Sequence, residues 1–257
     1  MSQLENVSEG IKYYCKLLGI PLINDIHEKE SIEAAKTKIS YQQYLYNLLK
    51  RQAELRLDNS VKAKIKKARF PFIKTVEEYD FTFQTKIDEK LIRELCELNF
   101  IKEGKNILFI GPPGVGKTHL AVALGIKAAI ARKRVLFFNA EELITNLIAA
   151  DVAKTSVSYI ETLSRIDLLI IDELGYLEIN KSAASLFFKL ISKRYEKTST
   201  IITTNKPFEE WQTIFSDEVI AAAILDRLLH HSYPFFINGK SYRMKELFEK
   251  REMIKQD

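Results

Sequence analysis

The chain has 257 residues, of which 46% are hydrophobic and 28% are charged, as in an ordinary globular protein. No apolar run approaches the roughly 20 residues that a membrane-spanning helix needs, and the N-terminus MSQLENVSEG lacks the layout of a secretion signal. We therefore expect a cytoplasmic protein without a membrane partner. It would hold one sizeable core, a small accessory domain and two reduced cysteines.

Residues 1–69 are predicted to form a small, basic, all-helical domain. Ser40 precedes a segment of helical apolar spacing and is a candidate N-cap. Residues 50–69 carry eight Lys/Arg against two Asp/Glu, whereas residues 1–49 carry five against six and residues 70–257 sum to zero. Such a run is typical of DNA binding by phosphate neutralisation, although a solvated helix face has the same composition. The candidate DNA-binding residues are Lys62, Lys64, Lys66, Lys67 and Arg69.

A linker is predicted over residues 70–83, because Pro71 forbids continuation of a helix and biases Phe70 to an extended conformation. The segment reads FPFIKTVEEYDFTF and has no clear period. We expect it to lie strapped across the next domain, which we place at residues 84–257. That domain opens with a helical pattern over 91–101, whose apolar stripe is Leu91, Leu95, Leu98 and Ile101.

A phosphate-binding loop is predicted at residues 111–118, which read GPPGVGKT and match G-x-x-x-x-G-K-T. The loop follows an apolar run and precedes a helix-like stretch, which is the context that it requires. Its glycines allow backbone N–H groups to point at a phosphate, and the following helix N-terminus adds positive potential. Lys117 is expected to reach the β- and γ-phosphates, and the Thr118 hydroxyl to hold Mg²⁺. The predicted ATP-binding set is Gly111, Pro112, Pro113, Gly114, Val115, Gly116, Lys117, Thr118 and His119, and simple packing explains His119 at least as well.

Two carboxylates end a second apolar run, LLIIDE at residues 168–173. The run predicts a parallel strand buried on both faces, with the acidic pair at the edge where open α/β sheets bind ligands. Asp172 is expected to support the magnesium ion, and Glu173 to act as general base on the attacking water. A solvent-facing acidic turn is the alternative, but the phosphate loop upstream favours hydrolysis of a nucleoside triphosphate.

Five short apolar runs alternate with amphipathic segments, at residues 107–110, 135–138, 168–171, 200–203 and 234–237. This alternation predicts an α/β fold with a five-stranded, parallel, doubly wound sheet. The run at 135–138 separates the loop strand from the acidic strand, which leaves room for another strand between them. Asn205 follows the fourth run and is expected to contact both the γ-phosphate and the attacking water, although asparagine is also common in strand-end turns.

Several long segments resemble the IstB-like transposition helper ATPases, which are AAA+ proteins related to the DnaC-type helicase loaders. The segments are the phosphate loop, LLIIDELGYL at 168–177, residues 182–211 and DEVIAAAILDRLLHHS at 217–232. The lead-in at 67–81 and GKSYRMKELFE at 239–249 fit the same family, and the likeness is weakest over residues 1–40. The resemblance implies an AAA+ ATPase domain, ATP rather than GTP, and a homo-oligomer with composite ATP sites.

The resemblance also implies roles for individual residues. Asn205 falls at the first sensor, Arg227 at the arginine finger that completes a neighbouring subunit's site, and Arg243 at the second sensor. Guanidinium groups at such positions stabilise charge that develops on the γ-phosphoryl group. Asn139, at the end of the second strand, is expected to restrain Glu173 until DNA binds. His230 and His231 lack a partner carboxylate at useful spacing, so we interpret them as structural.

The leading hypothesis is an ATPase that is stimulated by DNA and by oligomerisation. It would assemble on duplex DNA, largely without sequence preference, and would stimulate or target a transposase during insertion-sequence transposition. The alternative is a DnaC-like replicative helicase loader, which would share the ATPase core and differ in the partner of its N-terminal domain. A small-molecule kinase is disfavoured, because the sequence shows no lid-like arginine cluster and no acceptor pocket.

Overall fold

The computed structural model describes residues 3–176, 178–242 and 244. The chain divides into two compact units, Met1–Ala63 and Lys64–Asp257. The division falls a few residues before the boundary that the sequence predicts after residue 69, so the last turn of the third helix belongs to the second unit. Among the described helices, none combines the length and the apolar character needed to cross a bilayer.

The first unit is helical, as predicted. Its helices are α1 (Gln3–Leu18), α2 (Pro21–Thr37) and α3 (Tyr41–Lys67), and the last of these continues into the second unit. A small core of Cys15, Ile23 and Leu48 joins the three helices. The Ser40 hydroxyl accepts a hydrogen bond from the Gln43 amide at 3.2 Å, which makes Ser40 the N-cap of α3.

The second unit alternates helices with five short strands. In chain order its elements are α4 (Glu89–Leu95), α5 (Asn99–Lys102), β1 (Asn106–Ile110), α6 (Lys117–Ile130), β2 (Val135–Asn139), α7 (Ala140–Val152), α8 (Ser156–Ser164), β3 (Leu168–Leu174), α9 (Lys181–Arg194), β4 (Ser199–Thr204), a short 3₁₀ helix (Phe208–Glu210), α10 (Trp211–Phe215), α11 (Glu218–Leu229) and β5 (Ser232–Phe236). Each predicted strand is therefore present.

The strands form one parallel sheet in the order β2-β3-β4-β1-β5. Strand β4 lies between the loop strand β1 and the acidic strand β3, which confirms the expected gap between them. Strands β4 and β5 both follow β1 in the chain, yet they flank it on opposite sides in the sheet. A crevice at the carboxyl ends of such strands is the usual ligand site of an open α/β sheet.

Alternate residues of each strand pack on opposite faces of the sheet, as strand geometry requires. In β1, Ile107 and Phe109 pack with α6 on one face, whereas Leu108 and Ile110 pack with helices α7 to α11 on the other. Both faces of β1 are covered, so residues 107–110 are apolar throughout rather than alternating. The result is a three-layer α/β/α unit.

The single helical stripe predicted over residues 91–101 is wrong in one respect. Leu98 adopts a left-handed conformation with φ of 62°, which ends one helix and starts the next, so that α4 and α5 are separate. Leu95, Leu98 and Ile101 are nevertheless all buried. Burial of the stripe was predictable from spacing, whereas the break has no glycine or proline to announce it.

Candidate nucleotide site

A cavity of about 380 Å³ opens at the carboxyl ends of β1, β3 and β4. Of the predicted residues, Glu173, Asn205 and the loop from Pro113 to His119 line it. Gly111, Pro112 and Asp172 lie behind that wall and contact residues that line it. The structure thus brings the phosphate loop and the acidic strand to one place.

The phosphate loop joins β1 directly to α6. Gly116 has φ of 94°, and a Cβ atom there would lie 2.5 Å from the Tyr79 ring, so that only glycine fits. Lys117 begins α6 and is 8% exposed. Its ammonium group donates hydrogen bonds to the carbonyls of Gly111 and Pro112, at 2.7 and 2.8 Å. These bonds hold a buried positive charge against the loop.

Asp172 is buried at the end of β3 and faces two threonine hydroxyls. Thr118 donates to its two carboxylate oxygens at 2.9 and 3.1 Å, and Thr203 of β4 donates to Oδ1 at 2.6 Å. Burial raises the pKa of Asp172, and the hydrogen bonds from Thr203 and Thr118 oppose that shift. Sequence reasoning did not single out Thr203, although two threonines before Asn205 at the end of a buried strand could have indicated it.

Glu173 leaves the strand at a bulge. The pairing of β3 with β4 shifts between Ile171 and Leu174, and Glu173 has φ of 61°. The Glu173 side chain is exposed to the cavity, and its Oε2 accepts a hydrogen bond from Asn139 Nδ2 at 2.9 Å. Asn139 Oδ1 in turn accepts from the Glu141 amide and caps α7.

Asn205 follows β4 and lines the cavity beside Glu173. Its Oδ1 is buried and has no hydrogen-bond partner among the described residues. Because buried polar atoms are nearly always paired, an orphaned oxygen in a cavity wall indicates a ligand or a water that donates to it.

The segment 70–83 supplies much of the remaining cavity wall. The sequence predicted this segment as a linker strapped across the domain but gave no sign that it lines the site. Tyr79 is buried and its hydroxyl donates to the Val115 carbonyl at 3.0 Å, so it fixes the segment to the phosphate loop. His119 Nε2 donates to the Thr75 carbonyl at 2.7 Å, and burial lowers the pKa of His119. The remaining wall residues outside the predicted set are Phe72, Lys74, Glu78, Asp80, Gln84, Tyr176, Thr203, Thr204 and Tyr242.

Arg227 is not among the residues that line this cavity. Its guanidinium group lies 4.7 Å from the centre of the Phe188 ring and donates to the Ala223 carbonyl at 3.0 Å. Arg243 lies outside the described residues. The predicted catalytic set is therefore brought together only in part.

His230 and His231 have a carboxylate partner that sequence spacing did not indicate. Glu196 Oε1 lies 3.2 Å from His231 Nε2 and 3.8 Å from His230 Nδ1, and Tyr195 Oη lies 2.6 Å from His230 Nδ1. The hydrogen-bonded partners are 35 residues apart in the chain, so no local spacing could reveal them.

The predicted DNA-binding residues divide into two kinds. Lys62, Lys66 and Lys67 are exposed. Lys64 instead donates to the Arg132 carbonyl, and Arg69 pairs with Glu142 of α7 at 3.4 Å. Lys64 and Arg69 thus contact other parts of the second unit, to which they belong.

A parallel sheet of this strand order, with a phosphate loop after β1 and an acidic pair at the end of β3, defines an AAA+ P-loop protein. Solved structures agree on the fold. The chain is similar to AMPPCP-bound DnaA from Aquifex aeolicus, with a TM-score of 0.57 and 18% identity over 72% of this chain and 56% of that one. It is also similar to DnaI, with a TM-score of 0.53 and 22% identity over 65% of this chain and 89% of that one.

The chain belongs to the IstB-like ATP-binding proteins, whose family model matches residues 15–250. One relative, named for ATP binding in insertion sequence IS21 of Pseudomonas aeruginosa, is 47% identical over 83% of this chain and 81% of its own length. Another, named likewise for IS5376 of Geobacillus stearothermophilus, is 39% identical over 93% of this chain and 96% of its own.

Proposed function

We propose that this protein hydrolyses ATP with Mg²⁺ and assembles on duplex DNA as a homo-oligomer that stimulates a transposase. Membership of the family gives ATP binding; the proposal adds hydrolysis, the metal, DNA and the partner. One observation carries the proposal. The phosphate loop, the Thr118–Asp172 pair and Glu173 meet at a single cavity.

The phosphate end of the cavity is positively charged and rich in donors. Lys117 places a nearly buried ammonium group beside backbone N–H groups at the start of α6. Both features favour a polyphosphate anion, because the helix N-terminus and the lysine charge act together in a partly desolvated place. We assign the triphosphate to this end and the nucleoside to the wall formed by residues 72–84.

The residues present fit a magnesium ion. The Thr118 hydroxyl donates its one hydrogen to Asp172, so its oxygen lone pairs remain for a cation, and oxygen is the ligand that Mg²⁺ prefers. The Asp172 carboxylate, whose pKa burial raises, is favoured in its charged form by a nearby cation. A bound Mg²⁺ would neutralise charge on the phosphates.

Hydrolysis needs a base for water, and Glu173 is the exposed carboxylate at the strand end of the cavity. Asn205 lies in the same wall, and its side-chain amide, whose oxygen is unpaired, is the polar group that would orient that water. Glu173 therefore takes the proton and Asn205 orients the nucleophile.

The hydrogen bond from Asn139 to Glu173 supports control by DNA. While the carboxylate accepts from Asn139, it is restrained away from the water. Asn139 caps α7, and Glu142 in the first turn of α7 pairs with Arg69 of the basic run. A DNA phosphate that competes with Glu142 for Arg69 would therefore act on α7, the helix whose N-cap residue Asn139 restrains Glu173.

The position of Arg227 supports an oligomer. The guanidinium group is held at the surface of α11 against Phe188, away from the cavity of its own subunit. An arginine in that place would stabilise the γ-phosphoryl charge in a neighbouring subunit's site, as an arginine finger supplied in trans does. The names of the relatives, which belong to insertion sequences, favour a transposase over a replicative helicase as the final partner.

Two variants test the activity. Lys117→Ala should abolish most ATP binding, whereas Glu173→Gln should bind ATP at wild-type strength and lose turnover. Equilibrium binding of a fluorescent ATP analogue and phosphate release, each with and without duplex DNA, measure the two effects. Turnover retained by Glu173→Gln would remove Glu173 from the role of base. Wild-type binding by Lys117→Ala would reject the site itself.

A further inference from the structure

Thr203 contacts both acidic residues of the site at once. It is fully buried in β4, with 0% of its surface exposed. Its hydroxyl donates to Asp172 Oδ1 at 2.6 Å and accepts from the Glu173 amide at 2.9 Å. The backbone amide can only donate, so the hydroxyl accepts from Glu173 and keeps its single hydrogen for the Asp172 carboxylate.

The two carboxylates share the site only because the strand is bulged. In a regular strand consecutive side chains point to opposite faces, so Asp172 and Glu173 would diverge. The pairing shift between Ile171 and Leu174 and the left-handed conformation of Glu173 turn both toward the nucleotide side. That conformation is unfavourable for a residue with a side chain, so the surrounding structure has to hold it.

Thr203 provides the hydrogen-bond acceptor that the Glu173 amide lacks at the bulge. At the bulge the Glu173 amide is paired with a side chain, the Thr203 hydroxyl, instead of a backbone carbonyl of the ladder. The same hydroxyl donates a hydrogen bond to the Asp172 carboxylate, which is 6% exposed, and so fixes its orientation. Thr118 is the other donor to Asp172, but Thr118 belongs to the phosphate loop and is assigned to the metal.

We propose that Thr203 is a positioning residue that holds the Asp172 carboxylate in place for the metal and Glu173 turned toward the attacking water. The inference rests on the proposed ATPase function and adds to it a residue outside both nucleotide motifs. Removing the hydroxyl leaves a buried amide without a partner and a buried carboxylate with one donor fewer, both of which weaken the site.

Valine matches threonine in shape and lacks only the hydroxyl, so Thr203→Val is the main variant, with Thr203→Ala as a second. Thr203→Ser keeps the hydroxyl and should retain the wild-type kcat and Mg²⁺ response. Thr200→Val is the matched control, because Thr200 is a buried threonine of the same strand whose hydroxyl accepts from Arg194 at 3.0 Å, far from the cavity. It should lower the melting temperature and leave the metal response unchanged.

The first measurement needs no turnover. Binding of a fluorescent ATP analogue is titrated with MgCl₂ in a Glu173→Gln background. The Mg²⁺ concentration for half-maximal enhancement should rise about 10- to 100-fold in Thr203→Val, as for the loss of other residues that orient metal ligands. With Glu173 intact, kcat should fall in that range and KM for ATP should change little, and serine should recover both.

Each outcome decides the question. Wild-type kcat and Mg²⁺ response in folded Thr203→Val, or a defect in Thr203→Ser equal to that of valine, would overturn the inference. If valine and alanine both fail to fold by circular dichroism, Thr203 is a structural residue and the inference is overturned as well. A wild-type protein that binds ATP without hydrolysing it refutes the proposed function instead, which separates the two failures.

Discussion

Replacing Asn139 by serine isolates one hydrogen bond of the proposed control. Asn139 has two jobs, since its Oδ1 accepts from the Glu141 amide to cap α7 and its Nδ2 donates to Glu173. Serine is as good an N-cap as asparagine, but its hydroxyl is too short to reach Glu173. Alanine would remove both hydrogen bonds and would mix the loss of the cap with the release of the base.

The size of the effect follows from the exposure of Glu173. A hydrogen bond to a charged group contributes about 1.5–3 kcal/mol where it is shielded and less where water competes, so about 1 kcal/mol is a fair value here. At that value the restrained form outweighs the free form by about 5-fold. The free form is then about one sixth of the total, so release of the restraint should raise the basal ATPase rate by at most about 6-fold and leave the DNA-stimulated rate unchanged.

Phosphate release at saturating ATP, with and without duplex DNA, measures both rates on the same preparation. The ratio of stimulated to basal rate should fall about 6-fold in Asn139→Ser, and Asn139→Ala should show the same ratio with lower thermal stability. An unchanged ratio, or a basal rate below that of wild type, would refute the restraint and make Asn139 a cap alone.

Three further predictions concern other parts of the molecule. Arg194 is 1% exposed and donates to the carbonyls of Leu163, Ile166 and Ser199. Arg194→Met should cost about 3 kcal/mol or more in urea unfolding, against less than about 1 kcal/mol for Arg165→Met, which removes only an exposed ion pair with Glu161. Arg227→Ala should leave ATP affinity intact and lower only the turnover of the assembled protein, so a loss in a proven monomer would contradict the trans role. Replacing the exposed Lys62, Lys66 and Lys67 by glutamine should reduce the slope of log affinity for DNA against log salt concentration by about 0.9 for each DNA phosphate that is no longer neutralised. Replacing Lys86 and Lys90 by glutamine is the control and should leave that slope unchanged.

The sheet was predictable because its signal is local. Strands buried on both faces favour short, mostly apolar runs, and five such runs stand out between amphipathic segments. The phosphate loop was predictable for a similar reason, since eight consecutive residues carry its chemistry. The break at Leu98 was not, because leucine gives no sign that tertiary packing will force φ of 62°.

The finer geometry of the site depends on contacts between distant parts of the chain. LLIIDE predicts a strand with two carboxylates at its end, but nothing in those letters distinguishes a regular end from a bulge. The bulge is visible only in the register with β4 and in the bond from Thr203. Tyr79 and Thr75 reach the phosphate loop across about 40 residues of sequence, a separation that no periodic pattern encodes.

The proposed response to DNA depends on two contacts between the end of the basic run and the elements β2 and α7. The chain at Ala68 accepts a hydrogen bond from the Phe137 amide at 2.8 Å, so the end of the basic run is fixed to the outer edge of β2. Arg69 follows at once and pairs with Glu142, one turn beyond the Asn139 cap. The Arg69 pair is exposed and worth little by itself. A switch requires such a weak pair, because a DNA phosphate can then displace Glu142 from Arg69 at a small cost in free energy. The backbone hydrogen bond at Ala68 keeps the end of the basic run in place while Glu142 is displaced.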